Sequence, residues 1–126
     1  MADRIEEEFL LLKEVYPLAV REGRWIWLPD YPLPEGWSLN LIPVAFFVRE
    51  GYPATGPYGI HVPSGLRFRE TPPNNFTDPA EGPPFEGKWG MFSWECEGWK
   101  PTTDPRGGHN LLTWIRGFAA RFKEGV

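Results

Sequence analysis

Two side chains in one aromatic stretch, Ser93 and Cys96, could act as nucleophiles. A serine hydroxyl is almost fully protonated near neutral pH, so it needs a general base, and histidine is the usual one. His109 stands just before the last predicted helix, whereas His61 lies inside a predicted strand, where a structural role is more common. Ser93, Cys96 and His109 therefore form the candidate set for nucleophilic catalysis.

Each of these residues also has a structural interpretation. Cysteine is the better nucleophile near neutral pH because a few per cent is already thiolate. Cys96, however, lies between Glu95 and Glu97, whose negative charges disfavour the thiolate, and it could instead be a half-buried turn residue. His109 could serve as a helix cap.

Other polar residues could support the chemistry. Asn74 and Asn75 could donate hydrogen bonds to a developing oxyanion, although asparagine after two prolines is also a common turn former. Asp104 could orient His109 or form a turn. No cluster of His, Cys and carboxylate residues has metal-ligand spacing, and no glycine-rich phosphate loop follows a predicted strand. We therefore expect neither a metal nor another cofactor.

Hydrophobic periodicity predicts two helices that would frame these residues. The first is capped by Asp3 and ends before Pro17, and the second runs from Asn110 to Phe122. The outward face of the first would carry Glu7, Glu8 and Lys13. We expect two buried stripes, Ile5, Phe9, Leu12 and Tyr16 in the first helix and Leu111, Ile115, Phe118 and Phe122 in the second.

Short β-favouring runs separated by turns lie between the helices. They predict an antiparallel meander of about four strands, at residues 19–22, 24–28, 42–48 and 58–62. Residues 63–90 repeat Pro, Gly and Asn without a period and predict a long irregular loop of the kind that often carries function. This order predicts an α+β fold with both helices on one side of the sheet.

Length and charge exclude several classes of protein. The 126 residues fit one domain. Thirteen Lys and Arg against seventeen Asp and Glu give a net charge of −4 without a basic stripe, which argues against a nucleic-acid partner. The acidic start, MADRIEEEF, is unlike a secretory signal, and no apolar run is long enough to cross a bilayer. We expect a cytoplasmic protein with no membrane partner.

Two short motifs, taken in their order, resemble those of a known family. The segment GYPATGP, residues 51–57, resembles the Tyr-Pro-x-x-Pro-Pro turn that follows the third strand of the ubiquitin-conjugating fold. Trp99-Lys100-Pro101 resembles its Trp-x-Pro, and an amphipathic helix follows both here and in that fold. The chain as a whole is similar to a bacterial branch, often labelled family E, of the ubiquitin-conjugating enzyme superfamily.

The resemblance implies a ubiquitin-conjugating-enzyme-like domain over residues 1–126, with a long active-site loop before the C-terminal helix. It implies a carrier that accepts a bacterial ubiquitin-like protein from an activating enzyme as an ester and transfers it to a target protein. In that branch a serine after an aromatic residue occupies the nucleophile position, and Phe92-Ser93 matches this pattern if the loop before Trp99 is two residues shorter. We therefore predict Ser93 as the nucleophile, His109 as its base and Cys96 as the alternative nucleophile.

Two departures from the family pattern keep other functions open. No His-Pro-Asn triplet precedes the nucleophile, the nearest segment being Pro73-Asn74-Asn75. The position eight residues before Trp99 is Met91, which cannot attack a carbonyl carbon. One alternative is a non-catalytic adaptor of the same fold that binds the ubiquitin-like protein or its activating enzyme. Another is an aromatic-rich domain that binds a peptide or a glycan.

Overall fold

The computed structural model describes residues 4–71, 73–80, 83–85, 87–95, 98–104 and 106–124. The predicted cap Asp3 lies outside these residues. The described elements are α1 (Arg4–Val15), β1 (Val20–Glu22), β2 (Trp25–Pro32), β3 (Leu41–Phe47), β4 (Tyr58–Pro63), β5 (Phe76–Thr77), β6 (Trp89–Glu95) and α2 (Leu111–Glu124). Neither helix is long and apolar enough to cross a bilayer.

Helix α1 forms where its apolar periodicity predicts it. Ile5, Phe9 and Leu12 are buried, and Tyr16, just after the helix, packs against the core while partly exposed. The predicted outward face is wrong at one position, because Glu8 is only 2% exposed. Its carboxylate is directed inward to donors from other parts of the chain, which local periodicity does not reveal.

Helix α2 begins with a reciprocal cap. The side-chain oxygen of Asn110 accepts the Thr113 N–H at 2.9 Å, and the Thr113 hydroxyl accepts the Asn110 N–H at the same distance. This pair satisfies a backbone donor that the first helical turn leaves open. The predicted apolar stripe is confirmed, since Leu111, Ile115, Phe118 and Phe122 are at most 1% exposed.

The sheet has six antiparallel strands in the order β1-β2-β3-β4-β6-β5. Four strands lie close to the predicted positions, but the prediction of a four-stranded meander in a ubiquitin-conjugating-enzyme-like arrangement is wrong. The structure among the described residues is mostly a six-stranded sheet, with one helix near each end of the chain. That arrangement gives no support to the fold expected from the motifs.

The two missed strands lie in and just after the segment predicted as a long loop. β6 joins the sheet beside β4, and the two-residue β5 pairs with β6 at the edge. A two-residue strand has no periodicity to detect, and the dense aromatics of β6 obscure its alternation. Asp78, just after β5, accepts hydrogen bonds from the Ser64 hydroxyl and the Gly65 N–H and so links this region to the end of β4. These hydrogen bonds lower the pKa of the Asp78 carboxyl.

The main core lies between the helices and one face of the sheet. Phe46 of β3 has its ring centroid 6.0 Å from that of Phe118, and Phe92 of β6 is 5.8 Å from Phe122. These edge contacts place α2 across the central strands. The opposite face carries a second aromatic group, in which Trp25 lies 5.1 Å from the ring of His61.

Candidate functional site

The predicted nucleophile Ser93 is exposed near the end of β6. The register between β4 and β6 shifts beside it, so that Ser93 and Trp94 together oppose Gly59. Such bulges occur near functional sites because they re-aim side chains. Phe92, the preceding residue, is buried and its ring packs on Phe122 of α2, whereas Ser93 is exposed at the bulge.

The predicted oxyanion donors lie in a turn beside this strand. The Ser93 N–H donates to the backbone oxygen of Asn75 at 2.8 Å, and the Arg121 guanidinium donates to the backbone oxygen of Asn74 at 2.8 Å. Asn75 has a φ of +55°, a left-handed conformation that asparagine tolerates better than most residues. The turn interpretation is therefore confirmed, and the turn places exposed Asn75 next to exposed Ser93.

The predicted base His109 lies at the end of a different loop. Its Nδ1 accepts the Lys100 N–H at 2.8 Å, and its own N–H donates to the Lys100 oxygen at 2.9 Å. The imidazole stacks on Trp99 with ring centroids 5.2 Å apart. Asp104 accepts the Arg106 N–H at 2.9 Å, so it forms the tip of this loop.

The candidate catalytic residues are not joined by hydrogen bonds in the described part of the chain. The backbone N–H of Ser93 donates to Asn75, whereas His109 immediately precedes α2 and its Nδ1 is already an acceptor for Lys100. Cys96 lies outside the described residues. His61 is buried at 7% exposure within β4, which agrees with its structural interpretation.

The two family-like motifs contact each other. The indole Nε1 of Trp99 donates to the backbone oxygen of Pro53 at 2.8 Å, and the rings of Tyr52 and Trp99 are 6.0 Å apart. Gly56 in the same turn permits this approach, since a Cβ there would lie 2.7 Å from a ring carbon of Trp99. Rings of Tyr52, Trp99 and His109 thus follow one another from the proline turn to the start of α2.

Glu8 connects this series of rings to both helices through hydrogen bonds. Its carboxylate accepts hydrogen bonds from the Tyr52 hydroxyl, from Arg4 Nε and, at 2.7 Å, from the backbone N–H of Leu111. Burying a carboxylate is costly unless several donors compensate it, and three do so here. Burial and the Glu8 carboxylate together raise the pKa of the Tyr52 hydroxyl, which therefore stays protonated as the donor.

A groove runs between α1 and the described residues 100–104 and 106–109, hereafter the 100–109 loop. One part, of about 410 Å³, is lined by Glu7, Leu10, Leu11, Glu14, Asp104 and Arg106. A smaller part, of about 160 Å³, shares Leu11, Glu14 and Arg106 and extends towards α2. Leu10 is 58% exposed at its rim. The exposed Leu10 side chain is an apolar contact point between acidic side chains, a common pattern at protein-binding surfaces.

Sequence reasoning wrongly placed Glu8 on the outward face of α1 and did not reveal the groove. One signal was available for the groove, since Leu10 falls outside the buried stripe of α1 and so places an apolar side chain on its polar face. No comparable signal marks Glu8, because its three donors come partly from distant segments. The described residues contain no group of three or more His, Cys, Asp or Glu that could hold a metal ion.

No protein-family model matches the chain, and neither a curated protein nor a solved structure does.

Proposed function

We propose that this chain is a protein-binding adaptor of a bacterial ubiquitin-like conjugation system and docks on the activating enzyme through α1. The observation that carries the binding role is Leu10, which is 58% exposed at the rim of the groove between α1 and the 100–109 loop. A leucine in that position exposes apolar surface to water, and a binding partner can cover that surface.

The charge around the groove defines the kind of partner surface that fits. Glu7 and Glu14 lie on α1 on either side of Leu10, at helical spacings that place all three on one face. The chain as a whole has a net charge of −4. The loop side of the groove carries Asp104 and Arg106, so the acidic excess lies on α1. A partner that offers an apolar side chain beside basic residues would complement this helix face.

The identity of the partner rests on the sequence resemblance. GYPATGP and Trp99-Lys100-Pro101 resemble motifs of the ubiquitin-conjugating superfamily, and their contact through Trp99 and Pro53 supports treating them as one unit. The groove is adjacent, because residues 100–109 begin within the second motif. Ser93 and His109, as described, share no hydrogen bond, which favours the adaptor role over catalysis by that pair.

The test is association with the activating enzyme and the ubiquitin-like protein expected from neighbouring genes. Leu10→Glu should raise the dissociation rate, while the double charge reversal Glu7→Lys/Glu14→Lys should lower the association rate by roughly tenfold at low salt. Leu39→Glu is the matched control, because Leu39 is 49% exposed and lies outside the groove. Absence of binding to either protein would refute the function. Binding that neither groove variant changes relative to the Leu39→Glu control would refute only the surface.

A second candidate function is the carrier itself, with the modifier held as an ester on Ser93. One observation favours it: the exposed Ser93 lies beside the exposed Asn75 at a strand bulge, where an amide donor could reach an oxyanion on the serine ester. In this scheme the Ser93 hydroxyl attacks the activated carboxyl carbon of the modifier, loses its proton to a base and expels the leaving group of the activated ester. The same docking surface serves either function.

A further inference from the structure

The 100–109 loop is closed at its base by a histidine that acts as an acceptor. Two bonds join its ends, the Lys100 N–H to His109 Nδ1 at 2.8 Å and the His109 N–H to the Lys100 oxygen at 2.9 Å. The fit leaves little room, since a Cβ on Gly108, which has a φ of +57°, would lie 2.7 Å from the Lys100 oxygen. The two ends of the loop are therefore held together by specific hydrogen bonds and close packing.

The first of these bonds requires a neutral imidazole. A ring nitrogen can accept a hydrogen bond only when it carries no proton, so the proton of His109 must be on Nε2. In the imidazolium form both nitrogens are donors, and rotating the ring restores no acceptor for Lys100. Stacking on Trp99 survives protonation, because a cation over an indole face is attracted to it. Protonation thus removes one closing bond and keeps the ring in place.

The loop that this bond closes is held against α1 and forms one wall of the groove. Arg4 Nη1 of α1 donates to the backbone oxygens of Thr102 and Thr103 at 2.9 and 3.1 Å. Asp104 and Arg106 from the tip of the loop line the groove. Among the described residues, the charged or titratable groups in the elements around His109 are of mixed sign and include Lys100, Asp104, Arg106, Arg4, Glu8 and Tyr52.

We propose that His109 is a proton-sensitive latch. In its neutral form it holds the 100–109 loop closed beside α1, and on protonation it frees the Lys100 N–H and loosens that wall of the groove. Histidine is the side chain most often used in proteins for proton-dependent changes of this kind. It acts on the loop itself and needs no assumption about the partner or the proposed function.

The test is amide hydrogen exchange of the unmodified protein, followed by NMR from about pH 8 to about pH 5. Exchange rates are divided by the intrinsic rate at each pH, and the ring C–H resonances of His109 report its protonation. The protection of the Lys100 amide should fall roughly two- to tenfold as the imidazole gains its proton. This factor corresponds to the net contribution of one ordinary hydrogen bond. The Val48 N–H, which donates to the Arg24 oxygen at 2.8 Å in another part of the chain, is the internal control and should not change.

Two variants distinguish the effect of the hydrogen-bond acceptor from the effect of the aromatic ring. His109→Asn keeps a side-chain oxygen near the position of Nδ1 but cannot titrate, so the Lys100 amide should stay protected throughout the pH range. His109→Phe keeps an aromatic ring on Trp99 without an acceptor, so protection should be low at every pH. A protonated His109 with unchanged Lys100 protection would overturn the proposal. So would an imidazole that never gains a proton in this range, or a His109→Asn variant with the pH dependence of the original protein.

Discussion

The carboxylate of Glu8 in α1 accepts a hydrogen bond from the backbone N–H of Leu111, the first residue of α2, at 2.7 Å. The first N–H groups of a helix have no partner within the helix, and a negative charge near that end is favourable. A side chain from one helix thus completes the start of the other. The same oxygen accepts the Tyr52 hydroxyl, so three segments meet at one atom.

Replacing Glu8 should therefore destabilise the fold. Glu8→Ala leaves the Tyr52 hydroxyl, the Leu111 N–H and the Arg4 charge without their acceptor, and should lower the free energy of unfolding by about 3–5 kcal/mol. Glu8→Gln keeps one oxygen and should cost about 1–3 kcal/mol. Urea unfolding measures both. Glu7→Ala, on the neighbouring surface, is the control and should change stability by less than about 0.5 kcal/mol; a Glu8→Ala variant as stable as this control would show that the contact is dispensable.

Phe118 should be a main contributor to the stability of the core. It is fully buried, and its ring lies 5.3 Å from Trp114 and 6.0 Å from Phe46. Phe118→Ala should cost about 3–5 kcal/mol in the free energy of unfolding, through lost transfer energy and the cavity left behind. Leu10→Ala, at a position 58% exposed, should cost less than about 0.5 kcal/mol. Equal losses for the two variants would contradict the packing of α2.

Alkaline pH should weaken the fold through two tyrosines. Burial, with a smaller contribution from Tyr16, raises the pKa of Tyr31 from 10.0 to about 12, and burial with Glu8 also raises the pKa of Tyr52. A raised folded-state pKa means that the stabilisation is complete below about pH 10 and is lost as pH rises towards the folded value. Urea unfolding at pH 9, 10 and 11 should show the decline, and Tyr31→Phe should make it shallower. A decline that is the same in Tyr31→Phe would exclude Tyr31 as a source.

The carrier function predicts a covalent adduct of defined chemistry. Incubation with activating enzyme, ATP and modifier should give an adduct that survives a reducing thiol and is cleaved by hydroxylamine, because Ser93 would form an oxyester. Ser93→Ala should abolish it and Cys96→Ala should leave it. His109→Ala should slow its formation by roughly 10²–10⁴-fold if the imidazole is the general base, a role in which Nδ1 must first release the Lys100 N–H.

The adduct also distinguishes the two proposed functions. A thiol-sensitive adduct that is absent in Cys96→Ala would make Cys96 the nucleophile. Intact binding to the activating enzyme without any adduct would leave the adaptor function as the better account.

Local pattern was sufficient for the helices and for four of the strands. The stripe Leu111, Ile115, Phe118 and Phe122 repeats at helical spacing, and all four residues are buried. Such periodicity is a property of neighbouring residues, so one segment at a time reveals it. The same reasoning failed for β5, which is two residues long, and the motif resemblance led to a sheet arrangement that the six strands do not have.

The candidate site depended instead on contacts between distant residues. The sequence by itself determined that Glu8 and Leu111 lie on helices and that Tyr52 lies in the turn at residues 51–57. Only the tertiary structure decided that Glu8 is buried, because its partners lie 44 and 103 residues away along the chain. A carboxylate belongs in water unless donors surround it, and only the folded chain supplies them. For the same reason His109 could be recognised from the sequence as a candidate base, while its bond to Lys100 appears only when the 100–109 loop closes.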